Sequence, residues 1–342
     1  METVIRQSRR LFLGGLVTLG AGALVSRQSR AADAPRRIDV HCHIAPPDYN
    51  AELASRHLGN ANLQAWSPAK AIEDMDRAGV ATSIVSMSPP GVSIGDDTTS
   101  RRVARLCNDY AARLAADHPG RFGMFVNVPL FDNDSALREI EYGLDTLKAD
   151  GVCLFTSYGD KWLGDPAFAP VYQELNRRKA LIYTHPISAN CCRNLVPGIG
   201  DGAIEWGTDT TRAIARMVFS GAAARYPDIR IIFSHAGGTM PFLVERFINM
   251  AKAPQLASQF PQGFLGVVNK FYYDTAQTSN PAAMSALRKI IPVSQIVFGT
   301  DFPYRTAEEH VKGLQKCGVF NAQELRRIDR ENALTLLPRL RA

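Results

Sequence analysis

The feature of this 342-residue sequence that most constrains its fold is a repeated pair of patterns. A short run of β-branched, aliphatic or aromatic residues ends in polar residues, and a segment with helical spacing follows. The apolar runs cover 37–44, 82–88, 121–129, 151–156, 180–186, 229–238, 271–277 and 295–303. Continuous apolar character of this kind is typical of strands that are buried on both faces of a parallel sheet.

Helical patterns follow most of these runs, at 68–78, 101–117, 135–147, 166–178, 209–224, 240–250 and 282–290. This alternation predicts an α/β protein of the (β/α)8 TIM-barrel class, with residues 35–342 forming a single domain. An open doubly wound sheet is the alternative. It is disfavoured because no glycine-rich phosphate loop follows the first run.

Residues 1–34 have a different character and are predicted to be a signal peptide with a short linker. Basic residues precede an apolar stretch at 11–25, which is short for a membrane span, and small residues follow. The letters SRRLFL at 8–13 resemble the twin-arginine export motif. We therefore expect cleavage near residue 31, a periplasmic protein, and no stable membrane insertion after cleavage. An uncleaved anchor is the alternative.

Charge and cysteine content narrow the class of protein further. Without the five arginines and one glutamate of the leader, the formal net charge falls from +6 to +2. No basic patch remains that would predict a nucleic-acid partner. The chain has six cysteines, which we expect to be mostly buried thiols. They are Cys42, Cys107, Cys153, Cys191, Cys192 and Cys317.

Two histidines end the first predicted strand, in the stretch RRIDVHCHIAP at 36–46. Side chains two residues apart on a strand lie on one face, so His41 and His43 are expected to share a side and Cys42 to lie on the other. Two neutral imidazoles side by side are a natural half of a metal site. The histidine pair alone is weak evidence for a metal site, which requires further ligand-type residues elsewhere in the chain.

The partners stand at the ends of other predicted strands. His185 ends LIYTH, His235 ends IIFSH, and Asp301 ends VFGTD. The carboxyl ends of barrel strands form one mouth, where the chemistry of these proteins takes place. The remaining histidines are interpreted as ordinary surface residues, and they are His57, His118 and His310.

This order of ligand-type residues resembles the amidohydrolase superfamily. The letters FSHAGG at 233–238 with Pro241 and Arg246, DTTRAI at 209–214 and GTDFP at 299–303 resemble its metal-dependent decarboxylase branch. That branch includes aminocarboxymuconate-semialdehyde, γ-resorcylate and 6-methylsalicylate decarboxylases. The fourth strand lacks the lysine that two-metal members of the superfamily use, since Lys161 falls beyond it. The resemblance therefore implies one metal ion.

The resemblance also assigns roles to the residues at the mouth. It implies a metal held by His41, His43, His185 and Asp301, and a donor set of this kind suits Zn²⁺ first, with Mn²⁺ or another divalent ion as alternatives. His235 would act as acid/base, because histidine titrates near neutral pH, with a fifth metal ligand or a satisfied core histidine as the alternatives. Asp301 or His235 would supply the proton.

The implied reaction is non-oxidative decarboxylation of a hydroxylated aromatic, salicylate-type acid or of an unsaturated acid. A hydrolase acting on a lactone or amide is the alternative. A non-enzymatic periplasmic metal-binding protein is a third interpretation, which requires a closed coordination site.

Residues outside the cluster are assigned more loosely. Arg246 would hold the substrate carboxylate from a neighbouring subunit of a homodimer or homotetramer, or form a salt bridge on its own helix. Trp66, Phe302 and Tyr304 would line an aromatic pocket or pack in the core. Residues 190–193 follow the fifth strand on the mouth side, within reach of substrate. Residues 209–211 are predicted to begin and cap a helix.

Overall fold

The computed structural model describes residues 36–341, so the predicted signal peptide lies outside the described part of the chain. The strands, in chain order, are β1 (Arg37–His43), β2 (Val80–Ser86), β3 (Phe122–Asn127), β4 (Gly151–Phe155), β5 (Ser157–Tyr158), β6 (Lys161–Trp162), β7 (Leu181–His185), β8 (Arg230–Phe233), β9 (Tyr272–Asp274) and β10 (Ile296–Val297). Eight of them form one parallel sheet in the order β1-β2-β3-β4-β7-β8-β9-β10, and β5 pairs with β6 as an antiparallel hairpin.

The sheet closes on itself between its first and last strands. Val40 N–H donates to the carbonyl of Phe298 over 3.0 Å, and His43 N–H donates to the carbonyl of Phe302 over 2.8 Å. With helices around the sheet, this confirms the predicted (β/α)8 barrel. Each of the eight strands falls within or beside a predicted apolar run, whereas the β5–β6 hairpin was not predicted.

The helices, in chain order, surround the barrel. They are α1 (Pro47–Ser55), α2 (Ala61–Gln64), α3 (Pro68–Ala78), α4 (Asp97–Asp117), α5 (Asn133–Glu141), α6 (Ala169–Arg177), α7 (Asp201–Phe219), α8 (Ala222–Arg225), α9 (Met240–Ala251), α10 (Gly263–Val268), α11 (Pro281–Ile290), α12 (Ala307–Lys316), α13 (Ala322–Arg326) and α14 (Asn332–Leu336). Among the described residues, no helix combines the length and the apolar character that crossing a membrane requires.

Two clusters of buried apolar residues form the core of the protein, and neither covers the carboxyl ends of the strands. The larger cluster lies between strands and helices and includes Cys42, as its predicted outward direction requires. The smaller one joins strand residues such as Phe125 and Tyr183 to Ala333 and Leu336 of α14. Helix α14 thus covers the end of the barrel opposite the carboxyl ends of the strands. Five of the six cysteines are buried, and Cys191 is exposed.

One helix boundary differs from prediction in a way that matters for the site. The segment 209–211 was expected to begin a helix, but α7 begins at Asp201, so Asp209 lies inside the helix. Its buried carboxylate accepts hydrogen bonds from Trp162 Nε1, from Thr156 Oγ1, and from Ser157 Oγ over 3.1 Å. The prediction of a capping role was therefore wrong. Asp209 instead fastens the β5–β6 hairpin to α7.

Candidate metal centre

Five ligand-type side chains meet at the carboxyl ends of the strands. His41 and His43 lie in β1, His185 ends β7, His235 follows β8 after one residue, and Asp301 follows β10. All five are buried. His235 and Asp301 have positive φ angles of 54° and 64°, a conformation that non-glycine residues rarely adopt and that is concentrated at functional sites.

The donor atoms are close enough to share one ion. Ligand atoms of His41, His185, His235 and Asp301 all lie within 4.8 Å of one another. His43 Nε2 lies 3.0 Å from Asp301 Oδ1 and 3.2 Å from His41 Nε2, so His41 and His43 do share a side as predicted. The structure brings together all five predicted residues. The four mutually close residues include His235 and not His43, so the division of the five into metal ligands and acid/base stays a prediction.

The hydrogen bonds leave imidazole lone pairs directed at the cluster. His185 Nδ1–H donates to the carbonyl of Pro186 over 2.8 Å, and His41 Nδ1 lies 2.8 Å from Asp274 Oδ2. Their Nε2 atoms are therefore the basic ones. Within the described residues, His185 Nε2 and His235 Nε2 are buried without a hydrogen-bond partner. Buried polar atoms are normally satisfied, and a divalent metal ion fits this donor set.

The electrostatics of the cluster also fit a cation. Burial alone would lower the pKa of His41, but the carboxylates of Asp274 and Asp301 raise it to about 10. Burial would raise the pKa of Asp301, but His41 and the hydrogen bonds of neighbouring histidines hold it well below its usual range. Burial lowers the pKa of His43, and that of His185 to about 3. The site thus holds positive charge beside His41, where a metal would replace the proton.

Sequence reasoning missed Asp274, the last residue of β9. One carboxylate oxygen accepts from His41, and the other accepts the backbone N–H of His235 over 2.8 Å and of Ala276 over 3.0 Å. Asp274 therefore orients both a predicted ligand and the predicted acid/base. Its position at the end of a barrel strand, as in the other site residues, was the available signal.

Gln277 and His310 hold Asp301 in place through hydrogen bonds that were not predicted. Gln277 Nε2 donates to Asp301 Oδ2 over 2.9 Å, and its backbone N–H donates to His310 Nε2 over 2.9 Å. His310 Nδ1–H donates in turn to the carbonyl of Thr306 over 2.9 Å. The interpretation of His310 as a surface residue was wrong. It is 3% exposed, because the face of α12 that carries it is turned inward. His57 is exposed and His118 is half-buried.

The residues assigned to substrate lie at different depths. The Tyr304 ring is 6.1 Å from the His43 ring, and its hydroxyl lies 2.8 Å from Ser88 Oγ. Phe302 is half-buried beside Asp301 in sequence. Trp66 is buried in the larger apolar cluster, 6.1 Å from the Tyr110 ring, as the packing alternative expects. Arg246 is exposed on α9. Of the aromatic residues assigned to substrate, Tyr304 is thus in ring contact with a predicted ligand, as are three rings that were not assigned to substrate: Phe155, Tyr183 and Trp206.

The closed parallel barrel, with a buried histidine–aspartate cluster at the carboxyl ends of its strands, defines the class of this protein. It is a metal-dependent TIM-barrel enzyme. The amidohydrolase family model matches residues 38–339, and the chain belongs to that family. The chain is 35% identical to decarboxylase yanB of Aspergillus niger, over 89% of this chain and 88% of that protein. It is 35% identical to a 6-methylsalicylic acid decarboxylase of Penicillium expansum, over 89% and 97%.

A solved structure shares the fold. It is that of a dihydroxybenzoic acid decarboxylase from a Polaromonas species with bound manganese and the inhibitor 2-nitroresorcinol. The two chains superpose with a TM-score of 0.77 at 22% identity, over 90% of this chain and 98% of that one. At this identity the likeness concerns the fold.

Proposed function

We propose that this protein is a metal-dependent carboxy-lyase that removes the carboxyl group of a hydroxylated aromatic acid of the salicylate type without oxidation. The observation that carries the proposal is the pairing of His235 and Asp301 inside the donor cluster, with His235 Nε2 3.5 Å from Asp301 Oδ2. A buried acid/base pair next to metal ligands suits proton delivery to a bound acid. The relatives named as decarboxylases favour this reaction over hydrolysis.

The two oxygens of Asp301 suit two tasks. Oδ1 lies 3.0 Å from His43 Nε2 and 3.2 Å from His41 Nε2, on the side of the predicted ligands. Oδ2 accepts from Gln277 Nε2 and lies toward His235. A divalent ion held by these residues would supply positive charge for the carboxylate and the neighbouring phenol oxygen of the substrate. With a substrate bound, His235 or Asp301 would carry the proton that the substrate ring receives.

The reaction then needs one proton and releases one molecule of CO2. The pair gives its proton to the ring carbon that bears the carboxylate, which interrupts the aromatic ring. The bond between that carbon and the carboxylate then breaks, its electrons return to the ring, and aromaticity is restored. Solvent returns a proton to the pair. We propose a single ion, because β4 carries no lysine, with Zn²⁺ as the first candidate from the donor set and Mn²⁺ as the second.

The test uses purified protein reconstituted with Zn²⁺ or Mn²⁺ and a panel of salicylate-type acids. We expect one equivalent of metal, release of CO2 and formation of the matching phenol. His235→Ala should lower kcat by about 10²–10⁴-fold, the usual contribution of a general acid. His57→Ala, at an exposed histidine, is the matched control. Metal binding with hydrolysis of a lactone or amide and no CO2 would replace this proposal with the hydrolase alternative.

We propose further that the chain is exported to the periplasm by the twin-arginine route. The supporting evidence is the sequence SRRLFL at 8–13 and the apolar stretch that follows it. Arg9→Lys with Arg10→Lys should keep the protein in the cytoplasmic fraction of a bacterial host. Arg27→Lys with Arg30→Lys makes the same change outside the motif and should not. Equal export of both double variants would contradict the proposal.

We also propose that the protein is a homodimer, or a tetramer built from such dimers, that uses one face of α9. Phe242, Arg246 and Met250 follow one another at intervals of four residues and so share a face of this helix. Phe242 is 88% exposed and Met250 is 47% exposed. A large exposed apolar side chain beside an arginine is typical of protein interfaces.

A further inference from the structure

A cavity of about 470 Å³ opens on the mouth of the barrel beside the predicted metal centre. Its walls are the segments that follow β2, β3, β4 and β7. Phe155 lies between the cavity lining and the predicted metal centre in the sense that it contacts both. It lines the cavity, and its ring centroid lies 6.0 Å from that of His185. Ile187 and Ser188, just after His185, line the cavity as well. A ligand group in this cavity is therefore one aromatic ring away from a predicted metal ligand.

The lining combines aromatic rings with positive charge. Phe131, Phe155, Tyr158 and Phe168 supply the rings, and Lys161 and Arg193 supply the charge. Neither cation is within 4.0 Å of a carboxylate in the part of the chain that the structure describes. The cavity also contains Asp132, but its carboxylate accepts the N–H of Ser135 over 2.7 Å and lies 3.9 Å from Arg101. With two cations and one carboxylate, the lining therefore carries a net positive charge.

The two cations belong to segments that are tied to each other. Asn190 N–H donates to the carbonyl of Gly159 over 3.2 Å, and Cys191 N–H donates to Asp160 Oδ1 over 2.8 Å. These bonds join the loop that carries Arg193 to the hairpin that carries Lys161. The buried hydroxyl of Ser188, within the same loop, has no hydrogen-bond partner among the described residues. Arg193 Nε donates to the carbonyl of Ser188 over 3.3 Å, so the wall is a connected unit in which the Ser188 hydroxyl remains available to a ligand.

The volume exceeds what a single ring needs. A cavity of about 150 Å³ holds benzene, so this one offers roughly three times that space next to the site of reaction. From its size, aromatic lining and net positive charge, we infer that the cavity is a substrate subsite for an aryl substituent that ends in a second anionic group. This inference rests on the proposed decarboxylation and assigns it a substrate class: salicylate-type acids with an extended, anionic aryl substituent.

The experiment compares acids that differ only in the substituent. Manganese-loaded protein is assayed with salicylates that carry a phenyl group and with those that carry a para-carboxyphenyl group, as sets of ring-position isomers. For the best isomer, the diacid should have a kcat/KM about tenfold above that of its phenyl counterpart, through a lower KM, as expected for a hydrogen bond to a charged group. Arg193→Gln should bring this ratio close to one, whereas Arg193→Lys should keep part of it.

Lys316→Gln is the matched control, because it removes a positive charge at the exposed end of α12, outside the cavity lining. An unchanged ratio in Arg193→Gln, or no preference for any diacid in the parent protein, would overturn the subsite.

If no acid is decarboxylated, the proposed function fails while the subsite is still tested. Calorimetric titration of the diacid and its phenyl counterpart into the metal-loaded protein then decides. Tighter, Arg193-dependent binding of the diacid supports the subsite, and equal affinities refute it.

Discussion

At the scale of the residue, the candidate centre depends on which nitrogen of each histidine carries a proton. Pro186 and Asp274 accept from the Nδ1 atoms of His185 and His41, which leaves the Nε2 lone pairs for a metal. Partners of this kind fix the tautomer and the orientation of a metal-binding imidazole. The affinity of the site for metal is therefore set partly by residues that do not themselves bind it.

Asp274→Asn tests this dependence. The neutral amide cannot replace both carboxylate oxygens, so we expect a 10–100-fold loss of Mn²⁺ affinity, the usual effect of removing such a partner. The measurement is competition with a chelator of known affinity. Asp117→Asn, at the exposed end of α4, serves as the control. An unchanged dissociation constant in Asp274→Asn would show that His41 is oriented by other contacts.

The buried His310 makes the fold sensitive to acid. Burial lowers its pKa in the folded protein, whereas the unfolded chain has the ordinary value of about 6.5. As pH falls below about 6.5, the unfolded state binds the proton first, so the stabilising effect is complete above that pH and is lost below it. Between pH 7.5 and 5.5 this costs at most about 1.4 kcal/mol.

His310→Gln removes the titrating group while keeping an acceptor for the N–H of Gln277. In thermal unfolding of metal-stripped protein, the fall in Tm between pH 7.5 and 5.5 should be smaller in this variant than in the parent. His57→Gln, at an exposed position, should show the parent's full decrease. A pH dependence of His310→Gln equal to that of the parent would contradict the expected role.

At the scale of the element, the β5–β6 hairpin depends on Asp209 of α7. Trp162, Thr156 and Ser157 donate to this single buried carboxylate. Burial raises its pKa, while these hydrogen bonds and Arg212 act in the opposite direction. Because the hairpin forms one wall of the cavity at the mouth, its anchor controls the shape of that wall.

Asp209→Ala should leave three donors without their acceptor and destabilise the fold by about 1–3 kcal/mol. Hydrogen–deuterium exchange should become faster in the peptide 157–162, with a lower Tm. Asp228→Ala, at an exposed aspartate, is the comparison. Unchanged exchange in the hairpin would mean that β5 and β6 are held by their other contacts.

The sequence predicted the elements that have strong periodicity and missed those that depend on tertiary contacts. The eight barrel strands were found because each is a continuous apolar run. The β5 and β6 strands have two residues each and too little pattern to recognise, and their anchor Asp209 lies far away in the chain. The start of α7 at Asp201 was missed because its first turns are rich in glycine and polar residues.

The candidate site was also predicted only in part: residues at strand ends were found, and most of those that act through tertiary hydrogen bonds were missed. His41, His43, His185, His235 and Asp301 were found because they end strands of one barrel. Asp274 was missed although it also ends a strand, and Gln277 and His310 were missed because their role follows from hydrogen bonds between separate elements.

At the scale of the whole molecule, the exposed face of α9 bears on assembly. Phe242→Asp places a charge at the most exposed apolar residue of the proposed interface. In light scattering after size exclusion, this variant should have the mass of a monomer where the parent has that of a dimer or tetramer. Leu58→Asp, at another exposed apolar residue (44% exposed), should assemble like the parent. A parent protein that runs as a monomer would refute the proposed assembly.

The closure of the barrel has a consequence for when metal can be acquired. The cluster joins His41, near the end of the first strand, to Asp301, which follows the last strand, and these two ends of the chain meet at the seam formed by the Val40–Phe298 and His43–Phe302 hydrogen bonds. A partly synthesised or open chain therefore cannot assemble the complete donor set. A stably bound ion would therefore indicate that synthesis of the chain is complete and that the barrel has closed.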